Sequence, residues 1–229
     1  MTDVLEGFRE VLYDKDAVRL FNSFEGITIS NTGTVIGVTR EFVTINVHRY
    51  QLKCVELEQQ SVIVISNLTE SIIAKPVNID YREQEVMFSS LRFGDPFSNK
   101  RTQIRVNPSK PIKVLFPYRT TSSGELKNIS LSGIGILISR AAFNYDALGK
   151  GEEILIELAL PLSESAAPIP LQLKCQVMNI NFFSDNNFYR IGLKPYLNSA
   201  SQSMITKYVN LRISELLKDL ERKCQAEIS

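Results

Sequence analysis

The period of apolar and polar positions changes twice along the chain, and those changes outline its architecture. Near the start, Val4, Phe8, Val11 and Leu12 share one helical face, and Val18, Leu20, Phe21 and Phe24 continue the apolar series. This predicts helical structure from residue 3 to about residue 24, as one helix or two short ones, with Thr2 and Asp3 at the cap. From Gly26 the period shortens to two. Runs rich in β-branched residues at 27–29, 34–38, 42–47, 61–65, 71–74, 77–79 and 86–88 are separated by turn formers such as Asn31-Thr32-Gly33. Strands of that length and spacing predict a small antiparallel barrel or sandwich.

Gly94-Asp95-Pro96 and Ser98-Asn99 then break the pattern, which places a linker at 95–100. Six more strand signals follow, at 112–116, 125–129, 134–138, 154–158, 171–177 and 188–193, with no long helix among them. They predict a closed antiparallel barrel. After Pro195 the period becomes helical. Ser199 and Gln202 fit a capping box, and Ile205, Tyr208, Val209, Ile213, Leu216, Leu217 and Leu220 form one apolar stripe to about residue 223. The first half of that stripe is expected to pack on the barrel, and the second half on the barrel or on a partner subunit in a homodimer. The expected fold class is mainly β: two antiparallel β-barrel domains in tandem, residues 1–94 and 101–229. The second is six-stranded and followed by the C-terminal α-helix.

Composition narrows the function by exclusion. Lys and Arg total 26 against 25 Asp and Glu, so the net charge is only +1. Long-range recruitment to nucleic acid or to an acidic membrane needs a larger basic excess, so neither is an expected partner. Any anion site must be local. Cys54, Cys175 and Cys224 are far apart, with no CxxC pair, which argues against a disulfide framework and a zinc site and fits a reducing cytoplasm. The N-terminal stretch is acidic and broken by charges, unlike a signal peptide, and no apolar run approaches the ~20 residues that span a bilayer. The expectation is a cytoplasmic protein without membrane insertion.

Catalytic patterns are missing. His48 is the only histidine, at the edge of a predicted strand, and its position suits a structural or surface role. There is no GxSxG, HExxH, Walker loop or DxDxG in the sequence. The Asp14/Asp16 and Glu152-Glu153 pairs have nothing in sequence beside them to shift their pKa values, and read as solvated surface. Phe188 and Tyr189 suit the barrel core better than a base-stacking role. No catalytic residue, metal or cofactor is expected, and the chain is not expected to be an enzyme.

Two short stretches carry the remaining chemistry. Arg101-Thr102-Gln103-Ile104-Arg105 sets two guanidinium groups four residues apart at the entrance of the second domain. Asn128-Ile129-Ser130-Leu131-Ser132-Gly133 is a polar turn between two strands, with 22 residues between it and Arg105. Arginine offers a flat fork of donors that suits phosphate oxygens and guanine edges. Asn128 and Ser130 add amide and hydroxyl groups at a backbone bend, where Gly133 gives room for close approach or permits φ > 0. Either pattern alone is weak: at average composition an RxxxR arises in roughly half of chains this long, and the Asn-type pattern in about one in ten. In this order and between these elements, the pair is specific.

Together, RTQIR and NISLSG resemble the PilZ domain, a small β-barrel receptor for the bacterial second messenger cyclic di-GMP. The resemblance extends over about residues 99–220 and includes Gly124-Glu125, Ile134–Ile138, Gly151–Ile156 and Tyr189–Leu193. The preceding domain is similar in length and style to the N-terminal barrel of flagellar-brake PilZ proteins. The resemblance implies a non-enzymatic receptor whose ligand, cyclic di-GMP, is held by Arg101, Arg105, Asn128, Ser130 and Gly133. Lys100 stands where many relatives have a further Arg, and is an additional contact that the resemblance implies. Ligand is expected to order the arginine-bearing loop, change the relation between the domains and so regulate a protein partner such as a flagellar motor component. The alternative is a PilZ-fold interaction module that binds no nucleotide.

Overall fold

The computed structural model describes residues 4–66, 68–94, 104–117, 123–143, 148–163, 167–184 and 187–226. It divides the chain into two compact units, residues 1–102 with 216–229, and residues 103–215. The predicted linker at 95–100 lies outside the described residues.

The first unit opens with α1 (Val4–Asp14), which buries Phe8 and Val11 against the barrel core. Lys15, with φ 57°, ends the helix. The second part of the expected helical stretch is instead a strand, β1 (Ala17–Phe24). Val18, Leu20, Asn22 and Phe24 are its buried positions, a strict period of two that the extra apolar Phe21 disguises in the sequence. The barrel continues through β2 (Ile27–Val38), β3 (Val43–Val47), β4 (Ser61–Val64), β5 (Ser71–Asp80) and β6 (Glu85–Gly94). It closes in the order β1-β2-β3-β6-β5-β4. The runs at 71–74 and 77–79 belong to the single strand β5, whose two register shifts, at Ile73/Lys75 and Pro76/Asn78, interrupt its alternation.

A second helix, α2 (Arg49–Glu58), sits between β3 and β4 where the sequence shows no helical stripe. Its buried positions are the contiguous Gln51, Leu52, Lys53, Cys54 and Val55, too polar a set to register as amphipathic. His48 is its N-cap, with Nδ1 accepting from the Tyr50 N–H at 3.3 Å, which gives the lone histidine a structural role. Asn22 ties the helix to the barrel. Its Oδ1 accepts from Gln51 Nε2 (2.6 Å) and Ser61 Oγ (2.8 Å), while its Nδ2 donates to Glu58 Oε2 (2.8 Å) and the Gln60 carbonyl (2.6 Å). Every polar atom of this buried side chain is satisfied.

The second unit contains the six predicted strands: β7 (Lys113–Leu115), β8 (Ser123–Ser130), β9 (Gly133–Ser139), β10 (Glu153–Leu160), β11 (Ile169–Phe183) and β12 (Phe188–Pro195). They close in the order β10-β11-β12-β9-β8-β7. Leu126, Ile129, Ile134, Ile136, Ile156, Leu173, Val177 and Ile191 are among its buried core residues. The final helix, α3 (Ser199–Gln225), starts one residue earlier than the Ser199/Gln202 box implies. The box is Asn198 with Ser201: Asn198 Oδ1 accepts from the Ser201 N–H at 2.8 Å, and Ser201 Oγ accepts from the Asn198 N–H at 3.0 Å. Residues 199–215 of α3 belong to the second unit and 216–225 to the first. Leu220 and Cys224 are buried, with Cys224 Sγ 3.8 Å from the Arg49 carbonyl and Lys223 over the Phe24 ring.

Burial pushes the thiols of Cys54 and Cys175 from 9.0 up to about 12, and the Tyr208 phenol from 10.0 to about 12. For Cys54 the nearby Cys224 and Glu58 add to the effect. The folded chain therefore holds these protons to higher pH than the unfolded chain does. The stability they contribute is complete below about pH 9 and is lost as pH climbs toward 12. Urea midpoints measured against pH are expected to fall across that window. A Cys54→Ala, Cys175→Ala double variant should fall less steeply.

Candidate functional site

The second motif is a hairpin, and its fold follows from one serine. Ser130 closes β8, Gly133 opens β9, and Leu131-Ser132 turns between them. Ser130 Oγ donates to the Gly133 carbonyl and accepts from the Gly133 N–H, both at 3.1 Å. Ser130 is 1% exposed, so this hydroxyl holds the turn shut from inside. A register shift between Leu126 and Asn128 drops Lys127 out of the pairing. The bulge lets both Leu126 and Ile129 enter the core, while Asn128 and Ser130 share the opposite face with their partners Gly135 and Gly133.

The first motif reaches this hairpin through its last residues. Val106 forms an isolated antiparallel bridge to Ile129, with two backbone bonds of 3.0 Å, one in each direction. One residue on, the Asn107 carbonyl accepts from Arg212 Nε of α3 at 3.1 Å, and Arg212 is itself paired with Glu215. The chain is thus pinned at two consecutive residues just after Arg105. A Cβ placed on Gly133 would sit 2.9 Å from Arg105 Nη2, so the guanidinium lies against this glycine. Gly133 has no positive φ; the position demands space and not a left-handed backbone.

Arg105, Asn128, Ser130 and Gly133 are therefore brought together at one end of the β8–β9 hairpin. Arg101 and Lys100 lie outside the described residues. Two participants were missed in the sequence. Gly135 is one, since a Cβ there would meet Asn128 Oδ1 at 2.6 Å; its signal was the same-face repeat Gly133-x-Gly135. Arg212 is the other, and no local pattern marked it, because its partner is 105 residues away.

The electrostatics of the site are lopsided. Asn128 is 8% exposed, and its Oδ1 is a buried acceptor with no hydrogen-bond partner among the described residues. An unpaired buried acceptor costs about 1–3 kcal/mol, so such atoms are rare unless something else supplies the donor. The Arg105 guanidinium over Gly133, two residues along the same strand from Gly135, adds positive charge without satisfying it. The pair suits a ligand that carries both an anionic oxygen and an N–H donor. Among the described residues, no cluster of His, Cys, Asp or Glu could hold a metal ion.

Gly133 and Gly135 differ in what a side chain would displace. At Gly133 it meets the far end of a flexible arginine, and at Gly135 a short carboxamide that is itself buried. Gly135→Ala is expected to destabilise by about 1–2 kcal/mol more than Gly133→Ala, measured by urea unfolding. Equal stabilities for the two variants would contradict this packing.

Comparison with known proteins places the site in a family. Residues 99–211 match the model of the PilZ domain. A protein of Aquifex aeolicus (strain VF5), described as uncharacterized, is 27% identical over 153 residues, covering 65% of this chain and 68% of its own. Among solved structures, the inhibitor of motility MotI/DgrA of Bacillus subtilis is similar at 11% identity and TM-score 0.42, over 88% of this chain and 96% of that one. Escherichia coli YcgR in complex with c-di-GMP is similar at 14% identity and TM-score 0.39, covering 99% and 94%. The K. pneumonia MrkH–c-di-GMP complex is similar at 15% identity and TM-score 0.40, covering 94% and 93%. Both motifs lie inside the matched span, and residues 99–211 are a PilZ domain.

Proposed function

We propose that the chain is a receptor for cyclic di-GMP, held at the face where Arg105 lies over the β8–β9 hairpin. The observation that carries this reading is the orphaned acceptor Asn128 Oδ1. Guanine presents two adjacent N–H donors on its Watson–Crick edge, which suit a buried acceptor with no partner of its own. The phosphates of the dinucleotide suit the guanidinium of Arg105, and by motif position that of Arg101, with Lys100 as a further cation. Ser130 contributes by holding the turn that presents Asn128, and Gly133 by admitting the arginine. Binding needs no catalytic group, and the proposed role is signalling, not turnover.

Residues 95–100 serve in this reading as the linker before the arginine motif. Anchoring the arginines on the nucleotide fixes the segment that joins the two units, which changes their relation and the surface shown to a downstream protein. A component of the flagellar motor is the partner class that the resemblance implies. The cytoplasm, where the messenger is made, is the compartment this role requires.

Calorimetry of the full chain with cyclic di-GMP tests the proposal. Wild type is expected to bind. Arg101→Ala should bind at least about 30-fold more weakly, and Asn128→Ala about tenfold more weakly, the scale of one charged and one neutral hydrogen-bonding group. No heat from wild type, or equal binding by Arg101→Ala, would overturn it.

A further inference from the structure

Each barrel has a strand that outruns its neighbour. In the first, β4 pairs with β5 only at residues 72–74, so the far edge of residues 75–80 is open among the described residues. In the second, β10 pairs with β11 as far as Gln176, and Val177 exchanges two backbone bonds of 2.8 Å with Gly151 and Glu152. Beyond that point, residues 179–183 of β11 are paired with β12 alone among the described residues. An open edge presents unpaired backbone N–H and C=O groups, which are a template for another strand.

The two edges are protected differently. On β5 the open stretch carries Lys75, Pro76 and Asp80, and a register shift drops Val77 out of the pairing. Charge, proline and bulge are the features that keep an edge from pairing. Residues 179–183 of β11 read Asn-Ile-Asn-Phe-Phe and contain none of them. No charged residue stands between Lys174 and Asp185. The rings at this end are open as well. Phe182, Phe183 and Phe188 are 42%, 47% and 39% exposed, and they are the exposed phenylalanines among the described residues.

Alternation sorts the side chains of this edge. Ile180 and Phe182 share the face of their buried partners Ile191 and Tyr189, and Asn179, Asn181 and Phe183 take the outer face. Phe182 rests against Tyr189, with ring centres 4.9 Å apart, and the Arg140 guanidinium stands 5.5 Å from its centre. Phe182 lies on the core side and is still exposed, because no strand continues alongside it on the open edge.

A strand edge is satisfied in full by another strand, and this edge is complementary to itself. We propose that residues 179–183 of β11 form a homodimer interface, in which two copies pair antiparallel about a two-fold axis at Asn181. In that register Ile180 of each copy lies opposite Phe182 of the other, apolar on apolar, on the core side. On the outer side the two Asn181 carboxamides face each other, and Asn179 lies opposite Phe183. A charged residue at the axis would meet its own charge, and this strand has none to meet. The contact is isologous, so it closes at two copies. One short strand with its rings buries less than about 1,200 Å² in total, which makes the dimer weak and concentration-dependent.

Sedimentation velocity of the full chain without nucleotide tests this, over about 1–300 μM, a range that brackets micromolar affinity. Wild type is expected to pass from monomer to dimer as concentration rises. Asn181 is exposed, so Asn181→Lys should keep the wild-type thermal midpoint. Two lysines opposed at the axis, each beside an Arg190, should hold that variant monomeric throughout. Labelled Asn181→Lys should dimerise again when unlabelled Asn181→Asp is added, because opposite charges then face each other across the axis. A wild type that stays monomeric over the whole range overturns the proposal. An Asn181→Lys variant that dimerises as wild type does also overturns it, by placing the contact elsewhere, as on α3. A mixture in which the labelled variant remains a monomer overturns it as well.

Discussion

Two backbone hydrogen bonds between Val106 and Ile129 make one site out of two distant motifs. RxxxR and NxSxxG are separated by 22 residues, and nothing in either fixes the other's position. The bridge lays the segment after Arg105 along β8 as a one-residue strand, and the Asn107 carbonyl, bonded to Arg212, keeps it there. From that anchor Arg105 extends over Gly133. The rest of the site depends on that placement. Without it Asn128 would be an unpaired acceptor on an ordinary hairpin, with no positive charge beside it.

Bulges and glycines do the shaping. A regular β8 would alternate Leu126, Asn128 and Ser130 on one face, and the core would lose Leu126 or gain an asparagine. The extra residue at Lys127 reverses the alternation at the right point, so that apolar and polar residues each reach their own side. The cost of this arrangement is the buried acceptor it leaves on Asn128, a destabilisation of about 1–3 kcal/mol in the free protein that a donor-bearing ligand would remove. A site that is less satisfied when free than when filled gains part of its affinity from that difference.

Most of the fold was legible because strand periodicity survives where both faces are well defined. Five of the six strands of the second barrel fall on runs that alternate or are densely β-branched; β8, interrupted by its bulge, does not. The misreadings have specific causes. Phe21, half-buried on the outer face of β1, filled in an alternation and made a strand look helical. The helix α2 buries Gln51 and Lys53 beside Leu52 and Val55, so its tertiary contacts outweigh a sequence with no apolar stripe. At the hairpin, the motif residues were readable from their spacing, but Gly135 was not. Its pairing with Asn128 is a property of strand register, which the bulge at Lys127 determines.

The central claim is that Asn128 Oδ1 accepts a hydrogen bond from a guanine N–H. Nuclear magnetic resonance on the full chain, with ¹³C-labelled asparagine and ¹⁵N-labelled cyclic di-GMP, reads that bond directly. The account predicts a guanine imino proton protected from exchange in the complex, with a scalar coupling across the hydrogen bond to the Asn128 side-chain carbonyl carbon. A bound nucleotide whose imino protons exchange freely, while the Asn128 carbonyl resonance stays where it is in the free protein, would contradict it.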